Sequence, residues 1–150
     1  MQKTTVIAVG KLKERFWKDA CAEYLKRLSA YTDTTVREVP DSTPEREEAA
    51  ILAALDKLPD GAHVILLDIR GTQASSEQLA TKLEDLAVAG VSHVAFVIGG
   101  SDGVTSAVRS RASERLSFGP ITLPHNLARV VLLEQVYRAH KIIRREPYHK

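Results

Sequence analysis

Val94-Ala95-Phe96-Val97-Ile98-Gly99-Gly100-Ser101-Asp102-Gly103 changes character in a single step: five apolar residues without a break, then three glycines in five. An apolar run of that length, stopped by glycine, predicts a strand buried on both faces. That is the habit of a parallel strand inside a sheet covered by helices. Upstream, residues 64–69 repeat the pattern, broken only by Asp68 and followed by Gly71. Two such strands with helix-like spacing between them set the expectation for the whole chain.

Working outward, strands and helices alternate. Residues 4–9 predict a short strand ending at Gly10, and residues 34–39 a strand stopped by Pro40. Between them Trp17, Cys21, Leu25 and Leu28 recur at helical spacing over residues 14–29, with Cys21 on the apolar face. Ser42-Thr43-Pro44-Glu45 reads as a helix start, with a capping hydroxyl, proline in the first turn and Glu to reach back. Ser75-x-x-Gln78 opens another helix, closed by Gly90. Residues 105–112 predict a short helix, 116–123 an extended segment ending at Pro124, and 126–145 the longest helix. The alternation implies one α/β domain over residues 1–150, a mostly parallel sheet with helices on both faces.

Bulk properties narrow the function classes. Apolar residues make 44% of the 150 and charged residues 27%, ordinary values for a globular chain. The lone cysteine excludes a disulfide within the chain and any C-x-x-C site, and it fits a reducing cytoplasm. The apolar run near the start is too short for a secretory core, and no stretch approaches the roughly 18 residues of a membrane span. A soluble, cytoplasmic protein is expected. From Pro124 onward, Arg129, Arg138, Lys141, Arg144, Arg145 and Lys150 stand against Glu134 and Glu146, a balance of +4 in a chain of net +2. Such an end suits an anionic partner, or it is a solvated helix face.

In parallel sheets ligands sit beyond the carboxyl ends of the strands. The candidates here are the turns at residues 68–72, 99–104 and 116–124. The glycine loop is either a cofactor loop or a tight strand-to-helix turn. It is neither G-x-G-x-x-G nor a phosphate-binding G-x-x-x-x-G-K-[ST]. Asp68 is placed to meet a hydroxyl or to cap its own turn. Pro120 cannot donate in a ladder, so residues 116–124 are a ligand-facing loop or a bent edge strand. The long helix is apolar almost all round, which calls for a second subunit or for a central place in the core. Tyr148-His149-Lys150 combines the groups that stack on and bond an unpaired base, although chain ends commonly fray. No His/Cys/Asp/Glu set has metal-ligand spacing, so no metal is expected. No G-x-S-x-G elbow occurs.

Taken in order, several segments resemble one family. They are Ala8-Val9-Gly10-Lys11-Leu12-Lys13, Glu23-Tyr24-Leu25-Lys26-Arg27-Leu28, Leu67-Asp68-Ile69-Arg70-Gly71 with Ser75-Ser76-Glu77, Ile98-Gly99-Gly100-x-x-Gly103, Thr122-Leu123-Pro124-His125, Glu134-Gln135-Val136-Tyr137-Arg138-Ala139 and Pro147-Tyr148-His149-Lys150. The chain is similar to the bacterial large-subunit ribosomal RNA (pseudouridine-N3) methyltransferase H family of the SPOUT class, over its whole length. Two departures stand out: Ser101-Asp102 within the glycine loop, and the stiff Gly119-Pro120 pair in the cofactor run.

The resemblance implies a C-terminal trefoil knot, a homodimer and S-adenosyl-L-methionine as methyl donor. It implies a pseudouridine of large-subunit RNA in the assembled ribosome as substrate. Cofactor contacts would fall on Leu67, Gly99, Gly100, Phe118, Gly119, Pro120, Ile121, Thr122 and Leu123. Arg138, Tyr148 and His149 would be catalytic: Tyr148 on the base, His149 assisting the proton, Arg138 holding RNA. His125, Arg129 and Arg144 would meet substrate RNA. Two other classes stay open, a non-enzymatic ribosome-binding factor and a nucleotide-binding α/β enzyme.

Overall fold

The computed structural model describes residues 1–148. Along them run β1 (Lys3–Val9), α1 (Arg15–Leu28), β2 (Asp33–Val39), α2 (Pro44–Asp56), β3 (His63–Gln73), α3 (Ser76–Val88), β4 (His93–Ile98), α4 (Ser106–Arg111), β5 (Glu114–Ser117) and α5 (His125–Ile143). The five strands form one sheet in the order β2-β1-β4-β3-β5, and every pairing is parallel.

Side chains alternate across the strands and so divide the core. Val6, Ala8, Ile65, Phe96 and Ile98 face α1, α3 and α5, together with Leu132, Leu133 and Val136. Ile7, Val9, Leu66, Ala95 and Val97 face the other way, with Ile51 and Leu55 of α2 and Val108 of α4. Helices therefore cover both faces, which is why β4 carries no polar side chain between Val94 and Ile98. Cys21 is buried in the first of these cores. No helix among the described residues is long and apolar enough to cross a membrane.

Helix starts follow local chemistry, with one adjustment. Ser75 and Gln78 form the reciprocal capping box, the Gln78 N–H donating to Ser75 Oγ at 3.0 Å and the Ser75 N–H to Gln78 Oε1 at 2.8 Å. At α2, Thr43 caps and Pro44 opens the helix, but the carboxylate that reaches back is Glu47, not Glu45. The Ser42 N–H donates to Glu47 Oε2 at 2.7 Å, on the inner side of the helix where Glu47 is buried.

Two strand ends depart from simple extension. β3 runs opposite β5 to Leu67, bulges through residues 68–71, and rejoins at Thr72. Ile69 lies within β3 as expected but, in the bulge, is 52% exposed rather than buried. The return demands Gly71, because a Cβ there would lie 2.7 Å from the Arg115 carbonyl carbon. Residues 116–123 split into an edge strand ending at Ser117 and a loop. Gly119 adopts φ +106°, which breaks the ladder. α5 then packs between α1 and α3 over the sheet.

Candidate functional site

Register brings the three suspected turns together. Leu66 lies opposite Val97, and Leu67 opposite Leu116, so the carboxyl ends of β3, β4 and β5 are level. Leu67, Gly99 and Phe118 leave neighbouring strands at the same end of the sheet. Ser117 ties two of the turns: its Oγ reaches the Ile69 carbonyl at 3.1 Å and accepts the Gly119 N–H at 3.0 Å. Asp68 accepts from the Arg70 N–H at 2.9 Å, the capping role of the two foreseen, and also pairs with Arg115 at 3.5 Å.

The glycine loop is held from below and open above. The Gly103 N–H closes a turn on the Gly100 carbonyl at 3.0 Å. A Cβ on Gly99 would meet Val104 Cγ1 at 2.7 Å, and one on Gly100 would meet Val9 Cγ1 at 3.2 Å and Glu47 Oε1 at 3.3 Å. These two glycines let the loop sit down on β1 and α2. Thr105 donates to Glu48 Oε1 at 2.6 Å and pins the far side. Gly103 and Gly119 differ: both have positive φ, and among the described residues nothing lies within 4 Å of where a Cβ would stand. Residues 119–123 make no hydrogen bond to another main-chain group among the described residues. Unpaired main-chain groups beside open glycines are what an adenosine edge requires, so the residues present fit S-adenosyl-L-methionine. Exposed Ile69 and Ile121, 52% and 74% accessible, add an uncovered apolar rim on two of the loops.

The next turn of chain crosses to the β1 side. His125 packs on Gly10, whose positive φ and missing Cβ make room: a Cβ would fall 2.9 Å from His125 Nε2. One helical turn on, Arg129 follows it inward. Its guanidinium pairs with Glu38 at 2.8 Å and donates to the Gly10 carbonyl at 3.0 Å, with 3% of its side chain exposed. Arg129, expected at substrate RNA, thus has its terminal nitrogens engaged in joining α5 to the ends of β1 and β2. Arg144, by contrast, is exposed and lies 5.0 Å over the Tyr31 ring.

Arg138 and Tyr148 form a cluster with a carboxylate not foreseen there. The Tyr148 hydroxyl donates to Glu134 Oε2 at 3.0 Å, Arg138 donates to the same oxygen at 2.8 Å, and the Arg138 guanidinium sits 4.4 Å from the Tyr148 ring centre. Burial first, then the Glu134 hydrogen bond, pushes the Tyr148 phenol up to about 12. The same carboxylate raises Arg138 further. Tyr148 therefore works as a protonated donor. Tyr137 meets its ring edge-on at 5.0 Å, and Tyr24, Tyr31 and Arg27 extend the aromatic and cationic surface. The i, i+4 spacing of Glu134 and Arg138 signals their pair, but nothing in the sequence brings Tyr148 back upon it. His149 lies outside the described residues. Arg138 stands thirteen residues beyond His125, about 20 Å down the axis of α5 at ~1.5 Å per residue, so the helix sets this cluster apart from its own start at Gly10. Among the described residues no group of three or more His, Cys, Asp or Glu side chains could hold a metal ion.

A five-stranded parallel sheet with level, glycine-lined strand ends defines a class, and family comparison gives it its name. The model of the family described as predicted SPOUT methyltransferase matches residues 2–149, and the chain belongs to that family. The chain is 53% identical to ribosomal RNA large subunit methyltransferase H of Listeria monocytogenes serotype 4b (strain CLIP80459), covering 97% of this chain and 98% of that one. It is 54% identical to the same-named protein of Bacillus anthracis, again over 97% and 98%. Among solved structures, a probable methylase family protein from Haemophilus influenzae Rd KW20 matches 99% of this chain and 71% of its own, with TM-score 0.60 and 17% identity. TrmJ from Z. mobilis ZM4 matches 91% and 69%, with TM-score 0.53 and 15% identity. These two likenesses support the fold.

Proposed function

We propose that the chain methylates large-subunit ribosomal RNA, using S-adenosyl-L-methionine held at the ends of β3, β4 and β5. The observation that carries this reading is the convergence of Leu67, Gly99–Gly100 and the loop 118–123, whose main chain from Pro120 to Leu123 makes no hydrogen bond to another main-chain group among the described residues, at one end of the sheet. It agrees with near-full-length identity of 53% to proteins bearing that function in their names. The finer reading is N3 of a pseudouridine, within the assembled ribosome in the cytoplasm.

The cofactor supplies a methyl group on a sulfonium, already activated for displacement. The chain's residues must hold the base nitrogen in line, an orientation task, and help remove the imide proton. Leu67 and Phe118 offer apolar contact, and the main chain of residues 119–123 offers donors and acceptors. Tyr148, its one hydroxyl proton held by Glu134, stacks its ring on the base or accepts from it through the phenol oxygen. Arg138 supplies fixed positive charge beside the developing imide anion or a phosphate. His149 is the base by type, and Arg144 together with His125 extends the RNA contact.

Since about 20 Å of helix separates Arg138 from His125 in one protomer, the two halves of the site belong to different protomers of a homodimer in this reading. The chain between β5 and α5 must pass from the β5 edge back to Gly10, across the ends of β3 and β4. Threading it through the 68–104 segment would make the trefoil knot. Radiolabelled donor with intact ribosomes tests the proposal: label should appear in large-subunit RNA at one pseudouridine. Calorimetry should show the donor bound and ATP and NAD ignored. No donor binding and no RNA label would overturn it.

A further inference from the structure

A second cleft opens at the same end of the sheet, one strand away from the glycine loop. It has a volume of about 290 Å³ and lies between α1, α5 and the ends of β1 and β2. Leu12, Leu25, Val36 and Leu133 form its apolar wall, and Lys11, Lys18, Glu38 and Arg129 give it charge. Three cations against one carboxylate leave it net positive. Arg129 is 3% exposed, and while its terminal nitrogens are paired, its Nε has no acceptor among the described residues. A buried donor left unpaired is costly, and a bound acceptor would satisfy it.

The cleft also joins the candidate site mechanically. Gly10 precedes Lys11, accepts from Arg129 through its carbonyl, and touches the His125 ring where the cofactor run enters α5. The preceding residue, Val9, lies against the position of a Gly100 Cβ.

We infer that this cleft receives one unpaired nucleotide of the RNA strand, a neighbour of the base being methylated. The inference rests on the RNA reading above. Aliphatic walls suit the flat faces of a base, and the volume suits one nucleotide. Exposed Lys11 and Lys18 stand at the mouth for its phosphate. The second carboxylate oxygen of Glu38 can accept an exocyclic amine, so adenine, guanine or cytosine is preferred to uracil.

The test uses nucleoside 5′-monophosphates as probes, then RNA. Guanosine and cytidine monophosphates should perturb the amide resonances of Lys11, Leu25 and Val36, at least threefold more tightly than uridine monophosphate. Inorganic phosphate alone should bind more weakly still. Ala22→Trp places a ring at the exposed edge of the cleft, on a surface site of α1. It should cut affinity for a stem-loop RNA at least tenfold and leave donor affinity unchanged. Lys18→Gln should lower both RNA affinity and its salt dependence. If nucleotides perturb other residues, or if Ala22→Trp binds RNA as the parent does, the inference falls while donor binding stands. If phosphate binds as well as the nucleotides, the base pocket is refuted. If Ala22→Trp instead splits a dimer, the cleft is occupied by a second copy and the inference is likewise overturned.

Discussion

Tyr148 is the residue whose surroundings most constrain its chemistry. Its phenol is pushed up to about 12 by burial and by the Glu134 bond, so it stays protonated throughout any useful pH range. Tyr148→Phe keeps the ring over Arg138 and removes the bond to Glu134; the net loss of about 1 kcal/mol falls on stability, and the single-turnover rate should fall by less than the roughly fivefold this energy would give if all of it acted in the transition state. Tyr148→Ala also loses the cation–π contact and should fall further. The pH–rate profile between 7 and 10 should lack any inflection from this phenol, and one that vanishes in Tyr148→Phe would contradict the donor role. His140 supplies a stability test of opposite character. Burial, and secondarily the Arg144 charge, hold its imidazole below the usual value, so the folded chain keeps it neutral. The unfolded chain takes up that proton at higher pH than the folded chain does. This group's contribution is therefore fully present above about 6.5 and declines as pH falls, by at most about 1.4 kcal/mol per pH unit. Urea midpoints should drop between pH 7.5 and 5.5, and His140→Gln should flatten the slope. An equal slope in the variant would show that other groups dominate.

At the scale of elements, legibility followed locality. β4 and the start of β3 were readable because burial on both faces leaves an uninterrupted apolar run, and α3 because its capping box lies within four residues. The three strand-end turns could be named in advance for the same reason: parallel sheets put ligands there, and glycines mark the places. What escaped was set by partners distant in sequence. The bulge at residues 68–71 depends on Ser117 and Arg115, Arg129 turns inward because Glu38 and the Gly10 carbonyl await it, and Glu134 gains its meaning from Tyr148. The loop after β5 lends itself to a controlled test. Gly119→Ala forces a side chain into φ +106°, a strain of about 1–3 kcal/mol, and directs a methyl into the open space proposed for the donor. Donor affinity should fall at least tenfold. Gly61, also at positive φ with open space around it, precedes β3 at the other end of the sheet. Gly61→Ala should cost similar stability and leave donor affinity intact. Equal donor binding in both variants would move the cofactor away from this loop.

For the whole molecule the deciding question is where the uncovered parts of α5 go. One side of the helix is buried on the sheet through Leu132, Leu133, Val136 and Ala139, while Leu127, Val130, Val131, Ile142 and Ile143 are only partly covered. The apolar rim at Ile69 and Ile121 is also open. A homodimer that buries these positions accounts for an apolar pattern broader than one sheet contact needs, and it can bring Tyr148 and Arg138 of one protomer to the strand ends of the other. Sedimentation should therefore give a dimer at micromolar concentration, with a thermal midpoint that rises with concentration by mass action. The stronger test mixes two variants weakened in different parts of the site, Gly119→Ala and Tyr148→Ala, assayed where each alone is nearly silent. With sites shared between protomers, the mixed dimer contains one intact site, and random exchange should restore about a quarter of parental activity per chain. With each site complete within one chain, the mixture should stay as inactive as its parts, which would place Tyr148 with its own protomer's loops or remove it from the chemistry.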